Sequence, residues 1–351
     1  MEDKDIFENI PELDVNAESE MKAIRKTIRN RSWKTVAISV VLVLSLLLTG
    51  IYGVMPAVEK SYWNPYDGTV GEGVRDLDLV LSAYTELFQP GWKLDSVGSG
   101  RIGFATYDLS IIRSKVATGE DSFMTGSLRK NDLGWDYRFS AERATRDLFR
   151  PYVHVEYAAI MSGDSQHQTD ARISLNTVET LKKLPDYLTI EAAVCFQEDI
   201  TMEQLLTLRE EYDLPISWIA ICNDNPEEYS TPLCGMNPFY NNTIYYEVNE
   251  KYPHFGIDLS YETDFRYSPE HLEQHFRSLL QLSSDMLEKG RGARVYGGER
   301  NFYRETLDYV EENGIKSYGI IVFSDAPTLL ALLENDLVAD INFLETWIDL
   351  R

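Results

Sequence analysis

The sequence contains little cysteine and little positive charge for its length. Only three cysteines are spread over 351 residues, Cys195, Cys222 and Cys234. So few cannot form the disulfide framework of a small secreted domain. The chain carries 33 Lys and Arg against 57 Asp and Glu, a net charge of −24. It therefore has no broad basic field to offset phosphate repulsion, and we expect no direct nucleic-acid partner.

The sequence also lacks the motifs by which common enzyme classes are recognised. It has no G-x-S-x-G elbow, no Walker loop and no Cys-x-x-Cys pair. Residues 98–103 match G-x-G-x-x-G, but alternating, strand-like sequence follows them where a dinucleotide site needs a helix. We interpret this stretch as a glycine hairpin.

Two histidines, His271 and His275, have the i,i+4 spacing of a zinc-binding pair on one helix face. Leu272 occupies the position where the zincin motif has its glutamate, so the general base is missing. We interpret both as surface histidines. The sequence predicts no catalytic site, no metal ion and no cofactor.

What the sequence does contain is one long uncharged segment. Val36 to Met55 is 20 residues without a charge, the length of a helix that crosses the hydrocarbon core of a bilayer. The cationic residues on its N-terminal side mark the cytoplasmic end. They are Lys22, Arg25, Lys26, Arg29, Arg31 and Lys34. The sequence predicts a single-pass cell-membrane protein with a cytoplasmic N-terminus and an extracellular C-terminal body.

A cleaved signal peptide is the alternative for this segment. Residues 55–57 (Met-Pro-Ala) are a poor version of the small-residue cleavage site, and both the apolar run and the segment before it are long for a signal peptide. A retained anchor is favoured.

The 35 residues before the span carry apolar side chains at steps of three and four, which places them on one face of a helix or of two helices broken at Pro11. Three interpretations of this arm stay open. It binds the membrane surface, it binds a groove on another protein, or it has no partner and merely extends the membrane helix inward. The apolar residues are Phe7, Ile10, Leu13, Ala17, Met21, Ile24 and Ile28.

The chain after the span is long enough for two ordinary domains. We predict a juxtamembrane stalk at 56–74, with Trp63 a candidate for the interfacial aromatic belt. A strand-rich region follows at 75–165, in which 77–88 is interpreted as a strand, and a C-terminal α/β domain at 166–351. With the arm at 1–35 and the span at 36–55, this completes the predicted organisation.

Two stretches of the C-terminal domain align with each other at an offset of about 127 residues. Residues 188–221 and 316–344 share the order strand, short acidic turn, helix, turn, strand. The predicted fold class is therefore α/β (α+β), with two αβαβ units around a shared sheet and a strand-rich region before them.

Cys222 and Cys234 bracket a loop rich in Pro and Asn and are the one candidate disulfide. Cys195 and Cys222 lie in apolar, strand-like runs, where a buried free thiol is the common state. Both states of the 222–234 pair stay open.

Several of these features together resemble the sigma factor regulator family, the membrane-anchored anti-sigma factors of Gram-positive bacteria. A basic segment that leads into a single span is similar to residues 21–26 (MKAIRK) through Gly53. The C-terminal module is similar to residues 181–185 (LKKLP), 212–214 (YDL), 217–220 (SWIA) and 308–320 (DYVEENGIKSYGI).

The resemblance implies that the cytoplasmic arm holds an extracytoplasmic-function sigma factor away from RNA polymerase and that the outer domain reports envelope stress. The lipid bilayer and a second membrane protein are further partners. Five apolar residues of the arm are the candidate sigma-factor contacts: Phe7, Ile10, Met21, Ile24 and Ile28. Two alternatives remain: a membrane-tethered extracytoplasmic binding protein with no transcriptional partner, and an outer-surface enzyme.

Overall fold

The structure, a computed structural model, describes residues 15–71, 73–135, 149, 175–223, 234–237, 246–256, 268–293 and 301–348. The chain divides into two compact units, Met1–Tyr62 and Trp63–Arg351. The predicted domain boundary near residue 165 lies outside the described residues and stays a prediction.

The first unit is a long helix. Helix α1 spans Val15–Thr49, continues through a five-residue π-helical turn at Gly50–Val54, and ends in α2, Met55–Glu59. Residues Ser19–Glu59 include the stretch that is long and apolar enough to cross a membrane, with none of that stretch buried. The described part of the arm, residues 15–35, thus continues into the predicted span as one helix, as expected if the arm extends the membrane helix.

The second unit begins with helix α3, Asp76–Phe88. The strand predicted for residues 77–88 is therefore wrong. The apolar side chains recur at a helical period of 3.6 residues, and Asp76 and Asp78 lie in the first turn, where acidic residues stabilise a helix. Those apolar residues are Leu77, Val80, Leu81, Tyr84, Leu87 and Phe88.

A four-stranded antiparallel meander follows α3. Its strands are β1 (Trp92–Gly103), β2 (Thr106–Lys115), β3 (Asp121–Arg129) and β4 (Asp132–Trp135), in the order β1-β2-β3-β4. The G-x-G-x-x-G stretch lies inside β1 and pairs with β2. The predicted hairpin is confirmed, with its turn directly after the last glycine.

A second, five-stranded antiparallel sheet forms the C-terminal part, in the order β7-β6-β8-β5-β9. Its strands are β5 (Leu188–Thr201), β6 (Ile216–Ile221), β7 (Cys234–Met236), β8 (Lys316–Ser324) and β9 (Val338–Ile348). The helices of this part are α4 (Leu175–Leu181), α5 (Met202–Tyr212), α6 (Tyr246–Lys251), α7 (Pro269–Glu288), α8 (Phe302–Asn313) and α9 (Ala326–Leu333).

The two predicted repeat units interlock in this sheet. Both consist of strand, helix and strand: β5-α5-β6 and β8-α9-β9. The first strands, β5 and β8, pair at the centre, and each second strand pairs with the first strand of the other unit. This is the split β-α-β topology of ferredoxin-like folds. The predicted pair of α/β units around one sheet is confirmed.

Side chains at the helix ends explain where these helices begin and end. Thr201 and Gln204 form a reciprocal capping box at the start of α5, and Ser268 caps α7 ahead of Pro269. Gly314, at φ +76°, ends α8 in a backbone conformation that favours glycine.

One hydrophobic core joins both sheets. It takes residues from α3, from the inner face of the meander and from one face of the five-stranded sheet. Alternation along β5 places Ala192 and Val194 in this core, while Ala193 and Cys195 face a smaller cluster with Trp218 on the other side. The meander and the C-terminal sheet are therefore parts of one folded body.

Candidate functional site

The predicted sigma-factor contacts lie on α1 where the structure describes them. Met21, Ile24 and Ile28 are 48%, 56% and 62% exposed. Their steps of three and four residues place them on one helix face; we call these three residues the apolar stripe. Phe7 and Ile10 lie outside the described residues.

A cationic surface lies beside the apolar stripe. At 100° per residue, Lys22, Arg25, Lys26 and Arg29 fall within one sector of the helix, roughly opposite Ile24. The sequence contains no acidic residue from Met21 to Val58. The N-terminal part of α1 thus combines an exposed apolar line with a strong positive field.

In the second unit, residues 63–71 and 73–75 are held along the meander, and we call this segment the strap. Its first residue, Trp63, is 2% exposed and donates its backbone N–H to Asn131 Oδ1 at 2.7 Å. Burial in the body removes Trp63 from the interfacial aromatic belt predicted for it.

The strap also covers the outer edge of β1. Tyr66 donates its hydroxyl proton to the carbonyl of Ser99 at 2.7 Å, and Arg75 donates to the carbonyl of Val97, also at 2.7 Å. These carbonyls are two residues apart, so they point out from the same edge of the strand. Side-chain donors thus form hydrogen bonds with two carbonyls of this edge strand, which would otherwise be available to pair with a strand of another chain.

A buried ion pair fixes the strap to the C-terminal part. Asp76 is fully buried, and its carboxylate accepts a hydrogen bond from Arg291 Nη1 at 2.8 Å and another from the Thr69 backbone N–H at 2.8 Å. Arg291 follows α7, whereas Thr69 belongs to the strap and Asp76 begins α3. This contact, the Arg291 latch, ties three separate segments together.

A second buried polar contact joins α3 to α7. His275 is fully buried; its Nε2 donates to Glu86 Oε1 at 2.5 Å and its Nδ1 donates to the carbonyl of His254 at 2.6 Å. The interpretation of both histidines as surface residues is therefore wrong for His275. That residue lies on the apolar face of α7, three positions after Leu272 and four before Leu279, and this face packs on α3.

The charge state of His275 follows from these contacts. Burial lowers its pKa, but the Glu86 carboxylate and the His254 carbonyl outweigh burial, so that the pKa of His275 is raised. Both ring nitrogens face acceptors, which is the geometry of an imidazolium. Within the described part of the chain, no three potential metal-ligating side chains come together, at His271 and His275 or elsewhere.

The structure describes all three cysteines, including the candidate pair Cys222 and Cys234. All three are free thiols. Strand register pairs Cys234 with Ile221, so these two share a face of the sheet, and Cys222, the next residue, faces the other way. Burial raises the pKa of the Cys195 and Cys234 thiols, which keeps them protonated.

Sequence reasoning missed the polar residues that fix α3: Asp76, Glu86 and their partners Arg291 and His275. A signal was present. Once 76–88 is treated as a helix, it is apolar on nearly all sides, so an acidic residue near its C-terminal end, Glu86, is expected to be buried and paired. The identity of those partners could not be predicted, because they lie about 190 to 215 residues away.

Comparison with known proteins finds a family similarity in the C-terminal part. Residues 181–344 match the sigma factor regulator C-terminal family, and they run from the end of α4 into β9. Searches of curated proteins and of solved structures found no match. The match covers less than half of the chain; it supports a sigma factor regulator family and agrees with the resemblance predicted from the sequence. That family is regulatory rather than enzymatic and supports an anti-sigma factor role.

Proposed function

We propose that this chain is a membrane-bound anti-sigma factor whose cytoplasmic arm sequesters an extracytoplasmic-function sigma factor and whose outer body responds to envelope stress. The family match of residues 181–344 carries the regulatory part of this proposal. A single apolar helix that continues into an amphipathic arm supports the membrane-bound part.

The arm suits recognition as a helix in a groove. Recognition of this kind uses apolar anchors at steps of three and four residues, which is the spacing of Met21, Ile24 and Ile28. Because these side chains are about half exposed or more, a partner that covers them gains the free energy of burying apolar surface. A preformed helix also loses less conformational entropy on binding than a disordered peptide.

The charges beside the stripe favour an acidic partner surface. Lys22, Arg25, Lys26 and Arg29 would oppose a basic rim and attract an acidic one. The proposed groove on the sigma factor is therefore apolar at its centre and acidic at its rim. Such a complex weakens as salt screens the rim contacts.

The outer body is the proposed sensor. It is one compact unit in which the strap, α3 and the family domain are joined by buried polar contacts. A change in those contacts is a local event that could bias the state of the whole body, as a two-state device requires.

Binding to purified sigma factors tests the arm. The full chain in nanodiscs is titrated with each extracytoplasmic-function sigma factor of the same genome, purified singly. One of them is expected to bind, and Ile24→Asp with Ile28→Asp to weaken it by about 100-fold, since two buried anchors become charged. Asn30→Asp adds a charge about 160° away from the centre of the stripe and should leave binding within about twofold. Equal affinity of both variants would remove the stripe from the interface.

A tethered extracytoplasmic binding protein remains the second candidate, because the family match begins at Leu181 and does not include the arm. Deletion of residues 1–30 separates the two. An anti-sigma factor loses its regulatory effect on that deletion, whereas a tethered binding protein keeps its phenotype.

A further inference from the structure

Two pairs of titratable side chains lie where α3 crosses α7, His275 with Glu86 and His254 with His271, and we call these four residues the histidine clasp. His275 lies between the Glu86 carboxylate and the His254 carbonyl, as described above. The rings of His254 and His271 make an edge-to-face contact with their centroids 4.3 Å apart. Both of these rings are partly exposed, so protons can reach them.

The backbone at His254 is specialised for this arrangement. Its φ of +60° lies in the left-handed region, which is uncommon outside glycine. That conformation presents its carbonyl to His275 while its ring rests on His271. The neighbouring loop is pinned to α7 by a hydrogen bond from Ser278 to the Pro253 carbonyl at 2.6 Å, and Tyr252 donates to Asp285. Conformations of this kind recur at functional sites, because surrounding contacts must hold them in place.

The clasp links parts of the body that are distant in sequence. Glu86 belongs to α3, the helix that directly follows the strap, while His271 and His275 belong to α7, inside the family domain. Glu86 also holds the five-stranded sheet: its carbonyl accepts a hydrogen bond from Trp218 Nε1 at 2.8 Å, and its carboxylate accepts one from the Asn237 backbone N–H at 3.3 Å. A change of charge at Glu86 or His275 therefore affects contacts of α3, of α7 and of the five-stranded sheet.

We propose that the histidine clasp is a proton-operated contact that holds α3 against α7 at neutral pH and loosens when the His254 ring, which contacts the His271 ring, takes up a proton in mild acid. This inference concerns the outer body alone and does not depend on the identity of any sigma factor.

The charges in the clasp determine the direction of the effect. Burial lowers the pKa of His254, and the neighbouring His271 and His275 lower it further. A base with a lowered folded-state pKa contributes its full stability above the unfolded-state value of about 6.5, and that stability is lost as the pH falls. His275, whose pKa is raised, is still charged in that range, so a proton on His254 adds a second positive charge beside it.

The other charged groups nearby do not reverse this direction. Glu86 is the acidic partner that α3 supplies, and it is already engaged by His275. Lys251, Tyr252 and Asp285 form a separate contact between α6 and α7. The His271 ring faces the Ser268 hydroxyl, a neutral group, on its other side at 2.8 Å.

Hydrogen exchange of the full chain in nanodiscs tests the proposal. Exchange is measured by mass spectrometry at about pH 7.5 and about pH 5.5, with labelling times scaled to the intrinsic rates. Peptides from α3 and from the first half of α7 are expected to lose protection by about tenfold at the lower pH. A peptide from β8 serves as the internal reference and should not change.

His254→Asn is the decisive variant, because Asn tolerates left-handed backbone and keeps the carbonyl while it removes the titrating ring. The acid-induced loss of protection should fall to about twofold or less in this variant. Two results would overturn the proposal. One is an equal loss of protection in wild type and His254→Asn; the other is a wild type in which α3 and α7 lose no more protection at the lower pH than β8 does.

Discussion

At the scale of single residues, the stability of the outer body depends on a few buried polar pairs. Asp76 is fully buried and carries a charge that Arg291 neutralises, while Arg304 and Glu288 make an ion pair of similar length at the surface. The two arginines are thus a natural comparison between a buried and an exposed ion pair within one domain.

Replacement of Arg291 by Gln should lower the free energy of unfolding of the outer body by about 2–3 kcal/mol. Removal of one partner leaves a buried carboxylate with weaker compensation, though the 25% exposure of the Arg291 side chain reduces the cost. Arg304→Gln should change it by less than about 0.5 kcal/mol. Denaturant titration of the full chain in nanodiscs, followed by tryptophan fluorescence, measures both. Equal effects would mean that the latch contributes no more than a surface pair.

Gly235 of β7 is a second position where a single added carbon atom is expected to change the stability of the body. A Cβ there would lie 2.2 Å from the carbonyl oxygen of Ile219 and 2.2 Å from the Trp218 ring. Gly235→Ala should therefore destabilise the body by about 3 kcal/mol, because the backbone of β6 cannot move away. Gly100→Ala, where no atom lies within 4 Å of the new Cβ, should stay within about 0.5 kcal/mol. The same denaturant titration compares them, and equal midpoints would contradict the packing described for β6 and β7.

At the scale of elements, helix ends should behave independently of the core. Thr201→Ala removes the hydroxyl that caps α5 and should cost about 1 kcal/mol. Thr207→Ala, on the exposed surface of the same helix, should be neutral or slightly stabilising, since Ala has the higher helix propensity. Thermal unfolding of the two variants gives the comparison. A loss at Thr207 as large as that at Thr201 would mean that the cap is not what starts the helix.

Local patterns predicted the elements of the C-terminal part well and α3 poorly. The capping signals at Thr201, Ser268 and Gly314 act within a few residues, so they could be recognised in the sequence. The run at 77–88 is apolar almost throughout, and in such a run a buried helix and a buried strand differ only in the period of the pattern. The spacing of the apolar side chains at three and four residues fits the helix that the structure contains.

The candidate sites were predictable only where one element carries them. The apolar stripe of α1 follows from spacing within one helix. The histidine clasp and the Arg291 latch each join groups from distant parts of the chain, and neither composition nor spacing indicates such partners. The state of the Cys222 and Cys234 pair could not be decided from the sequence, because the faces that the two residues occupy depend on strand register.

At the scale of the whole molecule, the account combines a family domain with parts that the family match does not cover. The strap, α3 and the meander precede Leu181, yet they share the hydrophobic core of the C-terminal sheet. A signal received by any part of this body can therefore alter the packing of the others. The N-terminal apolar helix fits a single-pass membrane protein.

Orientation in the membrane is a separate prediction, and it rests on the cationic residues before the span. In a background with the three cysteines replaced by alanine, single cysteines are placed at Ser19 and Ser61, both exposed at opposite ends of the helical unit. A membrane-impermeant maleimide should label Ser61→Cys in intact cells and Ser19→Cys only after lysis. Labelling of Ser19→Cys in intact cells would reverse the topology.

Repression in cells tests the central claim, that the inner arm of a membrane-bound chain restrains a sigma factor. Activity of a promoter that depends on the sigma factor found by the binding assay is compared among the wild type, a gene deletion, the Ile24→Asp and Ile28→Asp double variant, and Asn30→Asp, all at matched expression. The account predicts that the double variant derepresses the promoter as fully as the deletion, because two apolar anchors are lost, while Asn30→Asp represses as the wild type does. Full repression by the double variant would contradict it.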